Sequence, residues 1–340
     1  MKRVLVTGGA GFIGSHFTKY LLKKYPDYKV TVFDALTYAG NLDNFDEVVW
    51  SNPQFNFRRG NICDRDEILD LMEESDVVVH FAAETHVDRS IDNSDPFIAT
   101  DVKGTQVMLE VARSVNLERF IHISTSEVYG SAEKVPMTEN HALKPMSPYA
   151  ACKAAADRLI YAYFATYELP MITLRPFNNY GPNQYPEKLI PLFITNAIED
   201  KPLPVYGAGK NTRDWLYVED CCEAIDAAFH KDIKQVKGEV INIGTGVDTN
   251  VLTITKAILK ELGKNKGLIK FITDRPGHVQ RHITSTTKAE RLLGFKAKTK
   301  FKDGLKATIK WYVDNPVWWR TIKEESKAFK SFYKKWYQKI

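Results

Sequence analysis

The chain has 340 residues, 44% hydrophobic and 26% charged, with a formal net charge of +5. That balance suits one large globular domain or two coupled ones, with ample apolar material for a core. So small a charge gives no ground for a nucleic-acid partner and suits an anionic small substrate, and no apolar run approaches the ~20 residues that span a bilayer.

Lys2 to Thr7 reads as a short buried strand, Gly8 to Gly14 as a turn and Ser15 to Lys24 as a helix ending near Pro26. Val30 to Phe33 is a second strand that stops at Asp34, and Phe55 to Arg59 a third. Asp64 is a natural N-cap for a helix running to about Glu74. Val77 to Phe81 forms a fourth strand, Asp101 to Val115 a helix and Phe120 to Ser124 a fifth strand. A long helix from Tyr149 to Tyr167 leads into a sixth strand, Met171 to Leu174. This alternation predicts an α/β fold, a Rossmann-like doubly wound parallel sheet covered on both faces.

Beyond Arg175 the pattern loosens, and Pro176, Pro182, Pro186, Pro191, Pro202 and Pro204 point to loops and a smaller mixed C-terminal substrate domain. The expected division is therefore residues 1–175 for the cofactor and 176–340 mainly for the substrate. Val240 to Ile243 is a further buried strand that returns to the main sheet in this reading, and Thr253 to Leu262 and Thr286 to Leu293 are helices. The amphipathic end, with Trp311, Tyr312, Trp318, Trp319, Phe329, Phe332 and Tyr333 among lysines, is expected to pack on the body. Cys63, Cys152, Cys221 and Cys222 show neither CxxC nor metal-ligand spacing, so free thiols and no metal are expected. No signal peptide fits the strand that starts at the N-terminus, and a cytoplasmic protein is expected.

Gly8, Gly11 and Gly14 give G-x-x-G-x-x-G between a strand and a helix, enclosing Phe12 and Ile13. Glycine lets the backbone approach a pyrophosphate, and the helix N-terminus offers N–H groups and its dipole to that anion. Asp34 follows at the end of the second strand, where a carboxylate accepts from a ribose diol and repels a 2′-phosphate. NAD is the expected cofactor. Tyr149 and Lys153 share one helix face at i and i+4. An ammonium beside a phenol favours the phenolate, which takes a proton from an alcohol while hydride leaves for the nicotinamide. Thr125, just after the fifth strand, would hold that alcohol, and the Glu127 carboxylate implies a second proton transfer.

With these residues the chain resembles the extended short-chain dehydrogenase/reductase superfamily, and within it the dTDP-glucose 4,6-dehydratase family. The resembling stretches are TGGAGFIGS, DALTYAGNLDN, HFAAETHVDRSI, SEVYG, SPYAACKAAAD, NNYGPNQYPEKLIPL, TRDWLYVED and RPGH. The resemblance implies that Ala82, Ala83, Glu84 and Thr100 line the NAD site, with Asn61 and Ile62 at the adenine. It implies that Asn178, Lys188, Leu189, Arg213 and Arg275 hold a nucleotide diphosphate, arginine forks being matched to phosphate. His86 would approach cofactor or substrate, or be a hydrogen-bonded structural histidine; His80 and His122 read as core, and the role of His278 is open. The implied reaction is C4 oxidation assisted by Tyr149, C5 proton abstraction by Glu127, loss of the C6 hydroxyl as water and hydride return to C6. The product is a 4-keto-6-deoxy sugar nucleotide. A homodimer through the helices Asp101 to Val115 and Tyr149 to Tyr167 is implied as well.

One position departs from the family pattern. Ser126 stands where the family has an aspartate held to protonate the leaving hydroxyl, and a serine is too weak an acid to replace it. Either Glu127 returns its proton to the C6 oxygen, directly or through Ser126 or water, or the reaction differs. Thr-Ser-Glu is similar to the motif of GDP-mannose 4,6-dehydratases and UDP-glucuronate decarboxylases. Dehydration, decarboxylation and 4-epimerisation are thus the enzymatic readings, and an NAD-binding regulator the non-enzymatic one.

Overall fold

A computed structural model describes residues 1–337; residues 338–340, the end of the expected C-terminal half, lie outside the described residues. Strands β1 (Arg3–Thr7), β2 (Lys29–Asp34), β3 (Phe55–Arg59), β4 (Val77–His80), β5 (Arg119–Ile123) and β6 (Met171–Pro176) pair in parallel. Alternate residues serve opposite layers, as the pleat requires. Val4, Val6 and Val32 pack with Phe17 and Leu21 on one face, while Leu5, Phe33, Val78 and Phe120 pack with Ile68, Leu71 and Met108 on the other. Burial on both faces is why these strands read as near-continuous apolar runs.

The second half adds β7 (Asn178–Tyr180), β8 (Leu203–Tyr206), β9 (Thr212–Tyr217), β10 (Val240–Ile243), β11 (Asp248–Asn250) and β12 (Ile269–Ile272). β10 pairs with β6, completing a sheet of order β10-β6-β5-β4-β1-β2-β3. That order reverses direction between β1 and β4, the place where such sheets open a crevice beyond their carboxyl ends. The small sheets β11-β9-β7 and β12-β8 form the other wall.

Some local boundaries differ from expectation. The helix expected to start at Asp101 begins as a π-helical stretch, Ile98–Gly104, before the α-helix Thr105–Ser114. The wider turn coincides with a tight packing point, since a Cβ on Gly104 would come 2.5 Å from Ile62 Cδ1. It also holds the Asp101 carboxylate 2.7 Å from the Glu84 backbone N–H, beside the cofactor crevice. Among the helices not anticipated are Leu189–Ile198 and Val218–His230, whose Cys221, Cys222, Ile225 and Phe229 join Phe17 and Leu21 in the main core. The aromatic tail packs on the body through Tyr312, Trp319 and Phe332, all buried against Phe193 and Val205.

Deep in the sheet, Arg175 on β6 donates from Nε to Asp157 Oδ2 at 2.7 Å and from a terminal nitrogen to the Tyr129 hydroxyl at 2.8 Å. Asp157 belongs to the helix Pro148–Tyr167, so this pair ties that helix to the sheet. Arg175→Met would strand a buried carboxylate; a loss of about 3–5 kcal/mol in denaturant unfolding is expected. A loss below about 1 kcal/mol, the worth of an exposed pair, would show that the two charges are not mutually dependent.

Candidate active site

A cavity of about 440 Å³ opens beyond the ends of β1, β4 and β5. The turn after β1 shapes one end. Gly8 has φ +68, and a Cβ there would sit 2.5 Å from the Ala82 backbone nitrogen, so two backbone segments touch without room for a side chain. A Cβ on Gly14 would collide with the Gly8 carbonyl. The helix Phe12–Lys24 starts here with no side-chain cap and no acid in its first turn, leaving N–H groups free for an anion. Asp34 accepts from Ala10 N at 2.9 Å and Leu36 N at 2.8 Å, which aims the carboxylate into the cavity with lone pairs to spare for a ribose diol. Phe12, Ile13, Asn61, Ile62, Ala82, Ala83, Glu84 and Thr100 line the same end. These residues fit a dinucleotide. Gly8→Ala is expected to lower the melting temperature by several degrees and weaken NAD binding at least about tenfold, since the φ and the contact are both violated. Unchanged NAD affinity would detach the turn from the cofactor.

Ser147 caps the next functional helix, accepting from Ala150 N at 3.2 Å with Pro148 at the first position. One turn of that helix brings Tyr149 and Lys153 to the cavity together. Lys153 is buried and donates to the Ile123 carbonyl at 2.9 Å, and burial lowers its pKa. The phenol itself differs from expectation. Burial, aided by the Asp101 and Glu127 charges, pushes Tyr149 well above the ordinary tyrosine range, against the opposing pull of the Thr125 and Thr85 hydroxyls. The ammonium is engaged by a carbonyl of β5, so the i, i+4 pairing alone does not give a low phenol pKa. Cationic charge of an oxidised nicotinamide is what that environment calls for.

Thr125 follows β5 and caps the short turn Ser126–Tyr129, its hydroxyl accepting from Glu127 N at 3.2 Å. The turn throws Thr125 and Glu127 into the cavity. Ser126 goes the other way: it is 2% exposed, does not line the cavity, and its hydroxyl lies 3.3 Å from His282 Nδ1. The Glu127 carboxylate receives no hydrogen bond among the described residues; Arg213 Nε and His282 Nδ1 each stand 4.0 Å from its Oε1. Burial would raise this carboxyl, but the neighbouring His282, Arg213 and Arg275 outweigh it and hold it below the ordinary range. His282 is itself pushed down to about 4 by burial, so near neutrality the arginines do that work.

Asn178, Lys188, Leu189, Arg213 and Arg275 line the far end. Arg275 donates to Asp88 Oδ1 at 2.5 Å while its Nε has no partner among the described residues. Lys188 donates to Thr85 Oγ1 at 3.0 Å. His86 also faces the cavity, in a strained φ of 98, with Nδ1 unpartnered among the described residues and its ring edge-on to Phe332. Among the residues not anticipated at the site are Asp88, which holds Arg275, and Asp101, His282 and Tyr337. Asp88 lies inside the THVDRS stretch, where an acid between a histidine and an arginine was a usable signal. His282 carried none. No cluster of acid, histidine or cysteine side chains suits a metal among the described residues.

A family model described as GDP-mannose 4,6 dehydratase matches residues 5–308. The chain is 45% identical over 330 residues to a dTDP-glucose 4,6-dehydratase of Streptomyces niveus, covering 96% of this chain and 97% of that one. It is 47% identical over 311 residues to the low-salt glycan biosynthesis protein Agl12 of Haloferax volcanii, covering 91% and 98%. Among solved structures, DesIV, a dTDP-glucose 4,6-dehydratase from Streptomyces venezuelae with NAD bound, superimposes with a TM-score of 0.91 at 43% identity, covering 94% of this chain and 100% of that one.

Proposed function

This chain belongs to the GDP-mannose 4,6 dehydratase family, and from that premise we propose that it is an NAD-dependent nucleotide-sugar 4,6-dehydratase acting on a dTDP- or UDP-glucose-type substrate. The observation that carries the reading is that Thr125, Glu127, Tyr149 and Lys153 share one cavity with the glycine turn and the arginines. Bound NAD would accept the C4 hydride and later return it to C6. Tyr149 removes the C4 hydroxyl proton, with Thr125 orienting that hydroxyl and Lys153, together with the positive charge an oxidised nicotinamide would add, favouring the phenolate. The new C4 ketone acidifies the C5 proton, which Glu127 is ionised to take. Lys188, Arg213 and Arg275 hold the diphosphate, with Asn178 and Leu189 beside it and His86 at the sugar end. Gly8, Gly11, Gly14 and Asp34 hold the dinucleotide. Residues 1–175 thus supply most cofactor contacts and residues 176–340 most substrate contacts.

The test is product analysis with NAD and dTDP-glucose, UDP-glucose, UDP-N-acetylglucosamine and UDP-glucuronate in parallel. Loss of water from a glucose nucleotide supports the reading; loss of carbon dioxide, or an unchanged mass, contradicts it. Burial lowers Lys188 to about 8, so its cation is present below that pH and lost above it. KM for the nucleotide sugar is therefore expected to rise as pH passes about 8, and to be flat there in Lys188→Met; a flat profile in the unaltered protein would remove Lys188 from the diphosphate.

A homodimer is part of the same proposal. Leu159, Tyr163 and Phe164 are used within the monomer core, but Ile98, Tyr161 and Tyr167 on the two helices are 52%, 52% and 43% exposed and offer apolar contacts to a second copy. Sedimentation as a monomer at micromolar concentration would contradict it. The four thiols are free, which suits a reducing cytoplasm.

A further inference from the structure

His282 is placed by the fold with unusual care. Its backbone N–H donates to the Thr212 carbonyl at 3.1 Å, and the next residue's carbonyl accepts from Met137 N at 2.8 Å. The side chain is fully buried, edge-on to Phe177 with ring centroids 6.0 Å apart. Its Nε2 lies 2.6 Å from the Gly130 carbonyl oxygen, which can only accept, so Nε2 carries the hydrogen. A neutral ring then presents a bare Nδ1. That atom meets the Ser126 hydroxyl at 3.3 Å and lies 4.0 Å from Glu127 Oε1. Ser126 has one hydrogen, and it is directed at Nδ1, away from the cavity. The groups facing Glu127 are otherwise Arg213, Arg275 and His278, all cationic or neutral, and Tyr149. No second carboxylic acid stands beside Glu127 in the residue order Thr125-Ser126-Glu127.

Resting on the dehydratase reading, we propose that His282 is a positioning residue for the elimination. It draws the Ser126 hydroxyl out of the cavity and so fixes the turn that carries Glu127, so that Glu127 alone takes the C5 proton and hands it to the departing C6 oxygen. The C5–H electron pair becomes the C5–C6 double bond, and the C6–O pair leaves with the oxygen. That oxygen keeps its own hydrogen and gains the proton from Glu127, leaving as water, and Glu127 is again a carboxylate. One carboxyl thus does what a neighbouring acid and base would otherwise share, which demands that it be held where both transfers are short.

Two nearly isosteric variants separate the edges of the ring. His282→Gln keeps a donor for the Gly130 carbonyl and lacks the acceptor for Ser126; His282→Asn keeps an acceptor at the Nδ1 place and lacks the donor. C4 oxidation is read from the rise of reduced nicotinamide in a single turnover, and elimination from loss of water. In His282→Gln, C4 oxidation is expected within about threefold of the unaltered enzyme while water loss slows roughly ten- to a hundredfold. His282→Asn is expected to recover most of the water-loss rate. Equal slowing of both steps, no slowing of either, or no recovery in His282→Asn would overturn the proposal. An unaltered protein that reduces no NAD with any of the sugar nucleotides would overturn the dehydratase reading itself, and this role with it.

Discussion

Tyr149→Phe is expected to abolish the first oxidation, with the rate of nicotinamide reduction on a glucose nucleotide falling about 10²–10⁴-fold. The ring stays, so packing in the cavity and cofactor binding are retained, but no group remains to take the C4 hydroxyl proton. The phenol is held well above its ordinary range by burial and by the Asp101 and Glu127 charges. A raised pKa means that the phenolate fraction grows as pH rises. C4 oxidation in the unaltered enzyme should therefore climb with pH, and the phenylalanine variant should lose that slope along with the rate. Undiminished reduction in the variant would reassign the base, with Glu127 in the same cavity another candidate.

Glu127→Gln is expected to separate the chemistry into two halves. C4 oxidation should stay within a few-fold, because Tyr149, Thr125 and Lys153 are untouched. Water loss and exchange of the C5 proton with deuterated solvent should fall by about 10²–10⁴-fold, the range for removing a positioned proton-transfer group. The amide matches the carboxylate in shape, and no hydrogen bond to the carboxylate is lost with it, so the effect reads as chemistry more than as structure. Normal C5 exchange in this variant would show that another group is the base.

The main sheet was legible because buried parallel strands are short apolar runs such as Val77 to Val79, bounded by a charge or a turn. The glycine turn, Asp34, and the pair Tyr149 and Lys153 were legible because their spacing is itself geometric: a turn, a strand end, one helix face. The helix Val218–His230 carries acids in its first turn and apolar residues at Val218, Cys221, Cys222, Ile225 and Phe229, a helical spacing that the preceding prolines obscured. The partners of charge were not legible. Arg275 meets Asp88 across 187 residues, and Ser126 meets His282 across 156. The phenol's environment was hidden for the same reason: the spacing places Lys153 beside Tyr149, but only the fold reveals the Ile123 carbonyl that engages it and the Asp101 charge that opposes it.

In the proposed reaction, hydride leaves the sugar at C4 and comes back to the same sugar at C6. Turnover of dTDP-glucose or UDP-glucose deuterated at C4, followed by mass and NMR analysis, tests it most directly. A product that has lost water and carries the deuterium in its C6 methyl group is expected. Deuterium retained at C4, or washed out to solvent, would contradict it.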